Sequence, residues 1–127
     1  MTIGNVLVIE DEASSRELFA TALRQAGWNV RSAVDGLSAV RVVELFTPDV
    51  IVLDLLLPGA SGLAVIDRLR SLATTKTTPV IAMSGNESAL DQARAHPEIV
   101  ATIRKPFAPD ELVRAVARAK RYTAIQE

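Results

Sequence analysis

Five side chains able to do phosphoryl or metal chemistry follow short apolar segments of the chain. Glu10 and Asp11 come after one segment, Asp54 ends another, and Ser84 and Lys105 end two more. Carboxylates brought together repel one another unless a positive charge lies between them, and Mg²⁺ binds one or two carboxylates along with phosphate oxygens. A carboxylate can also attack a phosphoryl group, while a hydroxyl and an ammonium stabilise the charge on that group. The five residues therefore predict a metal-assisted phosphoryl acceptor with Asp54 as its nucleophile.

The segments that precede these residues have the pattern of strands. Short apolar runs rich in β-branched residues are typical of strands covered on both faces. The predicted strands are 6–9, 29–34, 50–53, 79–83 and 101–103. The second contains the polar residues Arg31 and Ser32, which favours a place at the edge of the sheet.

Apolar residues at three- and four-residue spacing predict a helix after each strand. Ser14 and Glu17 match a capping box at the start of the first helix, and Gly27 follows its end. The fourth helix is predicted at about 87–95, and the last is predicted to open near Pro109, because proline is tolerated in a first turn.

Five alternating strands and helices predict an α/β protein with a doubly wound parallel sheet. Five strands suit the flavodoxin-like (βα)5 arrangement, with strand order 2-1-3-4-5. The winding direction reverses between strands one and three, and ligands bind there, beyond the carboxyl ends of the strands. Glu10, Asp11 and Asp54 stand at those two ends, so the predicted topology and the predicted chemistry point to one place.

Composition excludes several other kinds of site. The chain has 127 residues, 49% of them hydrophobic, a formal net charge of −1, no cysteine and a single histidine, His96. Thiol catalysis, thiolate metal sites and multi-histidine metal centres are thereby excluded, and no overall basic field favours nucleic acid. With no signal-peptide pattern and no apolar run near the ~20 residues of a membrane span, we expect a cytoplasmic domain without membrane contact.

The sequence does not match the motifs of dinucleotide-binding proteins, nucleotide-binding proteins or haloacid-dehalogenase phosphatases. The turn after the first strand contains Glu10, Asp11 and Glu12 rather than the glycines that cradle a dinucleotide or nucleotide phosphate. A phosphatase of the haloacid-dehalogenase type usually has an acid two residues after its nucleophile, where this chain has Leu56.

The chain resembles the receiver domains of two-component response regulators over essentially its whole length. The matching residues are Val-Leu-Val-Ile-Glu-Asp-Glu at 6–12, Val-Leu-Asp at 52–54 with Pro58, Gly59 and Gly62, Ser84, and Lys-Pro-Phe at 105–107. The resemblance implies phosphorelay signalling, in which Asp54 accepts a phosphoryl group from a sensor histidine kinase or a histidine phosphotransfer protein.

The resemblance also implies a role for each site residue. Asp11, Asp54 and the backbone carbonyl of Leu56 would bind Mg²⁺ or Mn²⁺ directly, and Glu10 would act mainly through a water. Lys105 would pair with the phosphoryl group, and Ser84 would move toward it as a switch. The family often has a cis peptide before the matching proline, and often an aromatic switch residue where this chain has Thr102.

Residues 1–127 are therefore expected to be a single receiver domain without an output domain. We expect a signalling switch rather than an enzyme, catalysing at most its own phosphorylation and dephosphorylation. A downstream effector protein and a homodimer are the further partners that the resemblance suggests, without direct nucleic-acid contact. The alternative is a degenerate receiver that serves as a phosphorylation-independent interaction or dimerisation module, and a small hydrolase is a weaker third.

Overall fold

The structure is a computed structural model that describes residues 2–126, with side chains for 2–59 and 61–121. In chain order its elements are β1 (Asn5–Ile9), α1 (Ala13–Gln25), β2 (Asn29–Ala33), α2 (Gly36–Leu45), β3 (Val50–Asp54), β4 (Leu56–Leu57), β5 (Ala60–Ser61), α3 (Gly62–Arg70), β6 (Val80–Ser84), α4 (Glu87–Ala93), β7 (Ile99–Arg104) and α5 (Pro109–Gln126).

The main sheet has five strands in the order β2-β1-β3-β6-β7, and every neighbouring pair is parallel. Counted without the small β4–β5 hairpin, this is the predicted 2-1-3-4-5 order, so the flavodoxin-like fold is confirmed. β2 lies at one edge, as predicted, with Arg31 and Ser32 exposed. β1 and β3 are neighbours, so the carboxyl ends of these two strands meet at the point where the winding reverses.

Alternating strand residues pack into two separate cores, one on each face of the sheet. Leu7, Ile9, Ile51 and Leu53 pack toward α2, α3 and α4. The alternate residues of the same strands pack toward α1 and α5; they are Val6, Val8, Val50 and Val52. All eight of these residues of β1 and β3 are completely buried. Burial on both faces explains why these strands are continuous apolar runs. Among the described residues, no helix is long and apolar enough to cross a membrane.

The start of α1 differs from the sequence-based expectation. Glu12, not Ser14, is the N-cap, because its carboxylate accepts the backbone N–H of Ser15 at 2.8 Å. Ser14 lies inside the helix and donates its hydroxyl to the same carboxylate, so the predicted capping box is wrong. Hydrogen bonds from Ser14 and Ser15 lower the pKa of Glu12 to about 2. Glu12, the third acid of the turn, therefore serves as the N-cap of α1.

Two other element boundaries lie some residues from the predicted ones. α4 ends at Ala93, two residues before the predicted end, and β7 begins at Ile99, two residues before the predicted start. A register shift separates the first pair of β6 and β7, Val80 with Ile99, from the rest of the ladder. The predicted opening of the last helix at Pro109 is confirmed.

Gly62 holds α3 against the residue that follows Asp54. Its N–H donates to the Leu55 carbonyl at 3.0 Å, and a Cβ at position 62 would lie 2.5 Å from the Leu55 Cα. That distance is too short for any side chain, and the neighbouring atom is backbone, which cannot rotate away.

We therefore expect Gly62→Ala to lower the free energy of unfolding by about 1–3 kcal/mol, because overpacking forces backbone shifts. Urea denaturation followed by circular dichroism measures the change. Gly85→Ala is the matched control, since a Cβ there meets nothing within 4 Å. Equal stabilities of the two variants would contradict the close contact at Gly62.

Candidate functional site

The parallel sheet brings four strand ends to the same edge. Glu10 follows β1, and its N–H donates to the Ala33 carbonyl of β2 at 3.0 Å. Asp54 ends β3, and Ser84 ends β6. Lys105 follows β7, and its N–H donates to the Ser84 carbonyl at 2.9 Å. Residues separated by up to 95 positions in the sequence thus meet at one edge of the sheet.

Lys105 lies between two buried acids. Its Nζ is 2.7 Å from Glu10 Oε1 and 2.8 Å from Asp54 Oδ2. The Glu10 side chain is completely buried and that of Asp54 is 7% exposed, whereas that of Lys105 is 28% exposed. The peptide bond between Lys105 and Pro106 is cis. The Lys105 ammonium, which is the most exposed of the three groups, therefore offsets part of the negative charge of the Glu10 and Asp54 carboxylates.

The pKa values of the three groups are linked. Burial, followed by the contact with Asp54, raises the pKa of Glu10 to about 7. Burial by itself would raise the pKa of Asp54 too, but hydrogen bonds with Glu10, Lys105 and the Leu56 N–H lower it below its usual value. The pKa of Lys105 is raised, because the two carboxylates outweigh its burial. Asp54 is thus held as the anion, which is the form that a nucleophile requires.

Three carboxylates at this edge have the chemistry of a divalent-metal site. One oxygen each from Glu10, Asp11 and Asp54 lies within 4.8 Å of the others. Glu10 Oε2 is buried and has no hydrogen-bond partner among the described residues, and leaving such an acceptor unpaired costs about 1–3 kcal/mol. Asp11 is exposed and opens the cluster to solvent. Hard oxygen ligands of this kind suit Mg²⁺, so the residues fit the predicted ion.

A cleft of about 310 Å³ opens above Asp54. Asp54 Oδ1 accepts the Leu56 N–H at 2.9 Å, while the Leu56 side chain is 80% exposed at the mouth of the cleft. Ser84 is buried, and its Oγ accepts the Asn86 N–H at 3.0 Å. The cleft lining is Asp54, Leu55, Leu56, Ser84, Gly85, Asn86, Ala89 and Lys105. Asp54 is therefore reachable from outside by a group that another molecule presents.

Thr102 lies away from both the acidic cluster and this cleft. It is half-buried in β7 and is aligned with Ala82, whereas Ser84 is aligned with Arg104. Thr102 instead lines a second cleft on that edge of the sheet, together with Arg94, Ile99, Val100 and Ala101.

Two contacts near the site were not predicted from the sequence. Arg16 of α1 donates from one guanidinium nitrogen to the carbonyls of Glu10 at 3.0 Å and Asp11 at 3.2 Å. Asn86 caps α4 by accepting the Ala89 N–H at 3.1 Å. An asparagine ahead of a helix is a signal that could have been used, whereas a lone arginine on a helix resembles any solvated residue.

The raised pKa of Glu10 predicts a pH-dependent stability in metal-free buffer. Between the unfolded-state pKa near 4.5 and the folded-state pKa of about 7, the folded protein binds more protons than the unfolded chain. The free energy of unfolding should therefore fall as pH rises through this window. Glu10→Gln removes this titration, so the stability of the variant relative to wild type should rise by roughly 1–3 kcal/mol from pH 5 to 7.5.

Urea denaturation in EDTA at a series of pH values measures this difference. Glu17→Gln, a change of an exposed acid on α1, is the matched control and should remain parallel to wild type. A difference between Glu10→Gln and wild type that does not vary with pH would contradict the shift.

Comparison with known proteins agrees with this geometry. Residues 6–117 match the family model described as the response regulator receiver domain. Among solved structures, chemotaxis response regulator CheY4 of Vibrio cholerae has a TM-score of 0.84 at 26% identity, covering 93% of this chain and 99% of that one. NtrX from Brucella abortus has a TM-score of 0.88 at 29% identity, covering 97% of this chain but 28% of NtrX.

Curated relatives match in sequence as well. The phosphate regulon transcriptional regulatory protein PhoB of Escherichia coli is 38% identical over 127 residues, covering 96% of this chain and 55% of PhoB. The probable transcriptional regulatory protein TcrX of Mycobacterium tuberculosis is 35% identical over 124 residues, covering 94% of this chain and 51% of TcrX. The chain spans about half the length of these relatives. The chain belongs to the family of response regulator receiver domains.

Proposed function

We propose that this receiver domain accepts a phosphoryl group on Asp54 from the phosphohistidine of a sensor kinase or a phosphotransfer protein. The observation that supports it best is the Asp54 carboxylate, which opens to a cleft and lies 2.8 Å from the Lys105 ammonium beside two further acids. Strong donors and acids at a nucleophilic carboxylate suit phosphoryl transfer. The cleft beside Asp54 also suits a donor group that another protein presents.

The proposed reaction depends on Mg²⁺ or Mn²⁺. Asp11, Asp54 and the Leu56 carbonyl would bind the ion directly, and Glu10 would bind it mainly through a water. Such an ion screens the negative charge of the transferring group. The unpaired Oε2 of Glu10 and the exposed Asp11 support this assignment.

The transfer itself exchanges one bond to phosphorus for another. A carboxylate oxygen of Asp54 attacks phosphorus, and the bond between phosphorus and the histidine nitrogen of the donor breaks. The bonding electrons remain on the imidazole, which takes up a proton. Lys105, already hydrogen-bonded to Asp54, would donate to the phosphoryl oxygens as their charge develops.

Ser84 is the proposed reporter of the modification. Its hydroxyl oxygen accepts the Asn86 N–H, and Asn86 in turn caps α4. Turning the Ser84 hydroxyl toward a phosphoryl oxygen would break this chain of contacts and shift the loop between β6 and α4. Charge added at Asp54 would in this way change the surface that partners meet.

We propose that the domain acts in the cytoplasm through contacts with other proteins: the kinase or phosphotransfer protein as phosphoryl donor, and a downstream effector or a second copy of the chain as output. The name of a further relative, the DNA-binding response regulator MtrA of Mycobacterium leprae, assigns DNA binding to that protein. In the present chain Arg94, at the end of α4, and Arg114, one of the arginines of α5, pair with Asp91 and Asp110, which supports a role without direct nucleic-acid contact. The domain would act as a switch, catalysing no reaction beyond its own phosphorylation and dephosphorylation.

Acetyl phosphate with Mg²⁺ should add one phosphoryl group to the wild-type protein, as measured by intact mass. Asp54→Asn should lose at least nine-tenths of the labelling, because the amide is a poor nucleophile, and EDTA should abolish it in wild type. Asp67→Asn, which changes an exposed acid of α3, is the matched control. Undiminished labelling of Asp54→Asn would refute the nucleophile, and labelling in EDTA would refute the metal requirement.

Beryllofluoride, which mimics a phosphoryl group on Asp54, should shift the backbone NMR signals of residues 84–90 as well as those of residues 54–57. In Ser84→Ala the shifts at 54–57 should persist, but those at 86–90 should fall by at least half. Shifts confined to 54–57 in wild type would instead favour the phosphorylation-insensitive interaction module.

A further inference from the structure

Arg16 ties the first helix to the acidic turn. Its NH1 nitrogen lies 3.0 Å from the Glu10 carbonyl oxygen and 3.2 Å from that of Asp11. Arg16 is half-buried in the first turns of α1. A charged donor that binds two successive carbonyls fixes the direction of two peptide groups at once, which a single neutral donor cannot do.

These two peptide groups set the positions of two of the three acids. The backbone N–H of Glu10 is fixed by β2, and Glu12 is fixed as the N-cap of α1. Asp11 lies between them, outside both the strand and the helix, with an exposed side chain. Among the described residues, the side chain that hydrogen-bonds to the backbone of Asp11 is that of Arg16, which lies on α1.

We propose that Arg16 is a positioning residue for the divalent cation, holding the Glu10 and Asp11 peptides so that their carboxylates converge with Asp54. The inference rests on the proposed metal site at these three acids. Arg16 would not touch the cation or the phosphoryl group, because its guanidinium hydrogen bonds go to backbone carbonyls. It would act only through the geometry of the turn.

The positive charge of Arg16 and its proposed positioning role have opposite effects on cation binding. A positive charge beside a cation site repels the cation, so removing that charge by itself should tighten metal binding. Loss of positioning has the opposite sign, and changing residues that orient metal ligands typically weakens binding about 10- to 100-fold. The direction of the change therefore separates a positioning role from a role as a bystander charge.

The α1 helix provides a matched control. Arg24 lies about two turns further along and donates from NH2 to the Val30 carbonyl at 3.1 Å. It makes the same kind of bond, from the same helix to a backbone carbonyl six positions away, but at the opposite end of the helix from the acids. Arg16→Ala and Arg24→Ala should lower the thermal unfolding temperature similarly.

Mn²⁺ binding, followed by the EPR signal of the free ion, tests the inference on the full chain. Arg16→Ala should bind Mn²⁺ about 10-fold more weakly than wild type, and Arg24→Ala should bind as wild type does. With acetyl phosphate, Arg16→Ala should need about 10-fold more Mg²⁺ for half-maximal labelling, yet label at near the wild-type rate when Mg²⁺ is saturating. A purely structural defect would also lower the labelling rate at saturating Mg²⁺, instead of changing only the Mg²⁺ concentration needed for half-maximal labelling.

Arg16→Lys keeps the charge but has a single ammonium on a more flexible stem, so it should weaken Mn²⁺ binding by about 3-fold and serves if Arg16→Ala does not fold. Equal or tighter Mn²⁺ binding by the Arg16 variants would overturn the inference. Failure of wild type itself to bind Mn²⁺ would refute the proposed metal site instead, so the two failures are distinguishable.

Discussion

The burial of two carboxylates beside one ammonium is the interaction on which the site depends. Glu10 and Asp54 are almost completely enclosed, and Lys105 is the cation that contacts both within the described residues. Isolated buried charges are very costly, and breaking a buried pair by removing one partner is strongly destabilising. The cluster remains one positive charge short when both acids are ionised. Burial, together with the nearby Asp54 carboxylate, raises the pKa of Glu10 to about 7, and the shortage of positive charge makes the site suited to a divalent cation.

The sheet topology is what makes this cluster possible. Its three members stand at the ends of three different strands, and the parallel order in which β1 adjoins β3 brings the two acids together. The continuous apolar sequence of β1 and β3 is the local requirement of that order, because a strand with helices on both faces has no solvent-facing side. Stability of the core and placement of the acids thus depend on the same residues. The backbones of Glu10 and Lys105 are hydrogen-bonded to neighbouring strands, which fixes the places from which their side chains reach the site.

The fold and most of the site could be predicted from the sequence, because they follow from regular patterns. Apolar runs gave the strands, their alternation with helices gave the topology, and the residue after each run gave Glu10, Asp54, Ser84 and Lys105. The helix start at Glu12 was missed because Ser14, an equally good capping residue, stands two positions later. Arg16 was missed because its contacts are to backbone carbonyls, which leave no trace in side-chain spacing. The sharing of Lys105 between two acids depends on distances that no sequence pattern specifies.

The short segment from Leu55 to Gly62, which includes β4 and β5, has a base and an outer part that differ in the substitutions they tolerate. Its base is closed by the hydrogen bond between Gly62 and Leu55, and the lack of room for a Cβ at Gly62 fixes that base to α3. Its outer part, by contrast, presents the side chain of Leu56, which is exposed. Over evolution, the exposed side chain at position 56 can therefore change while Asp54, next to the base, stays where it is. The surface offered to other proteins and the proposed phosphoryl chemistry can be inherited separately within a single eight-residue segment.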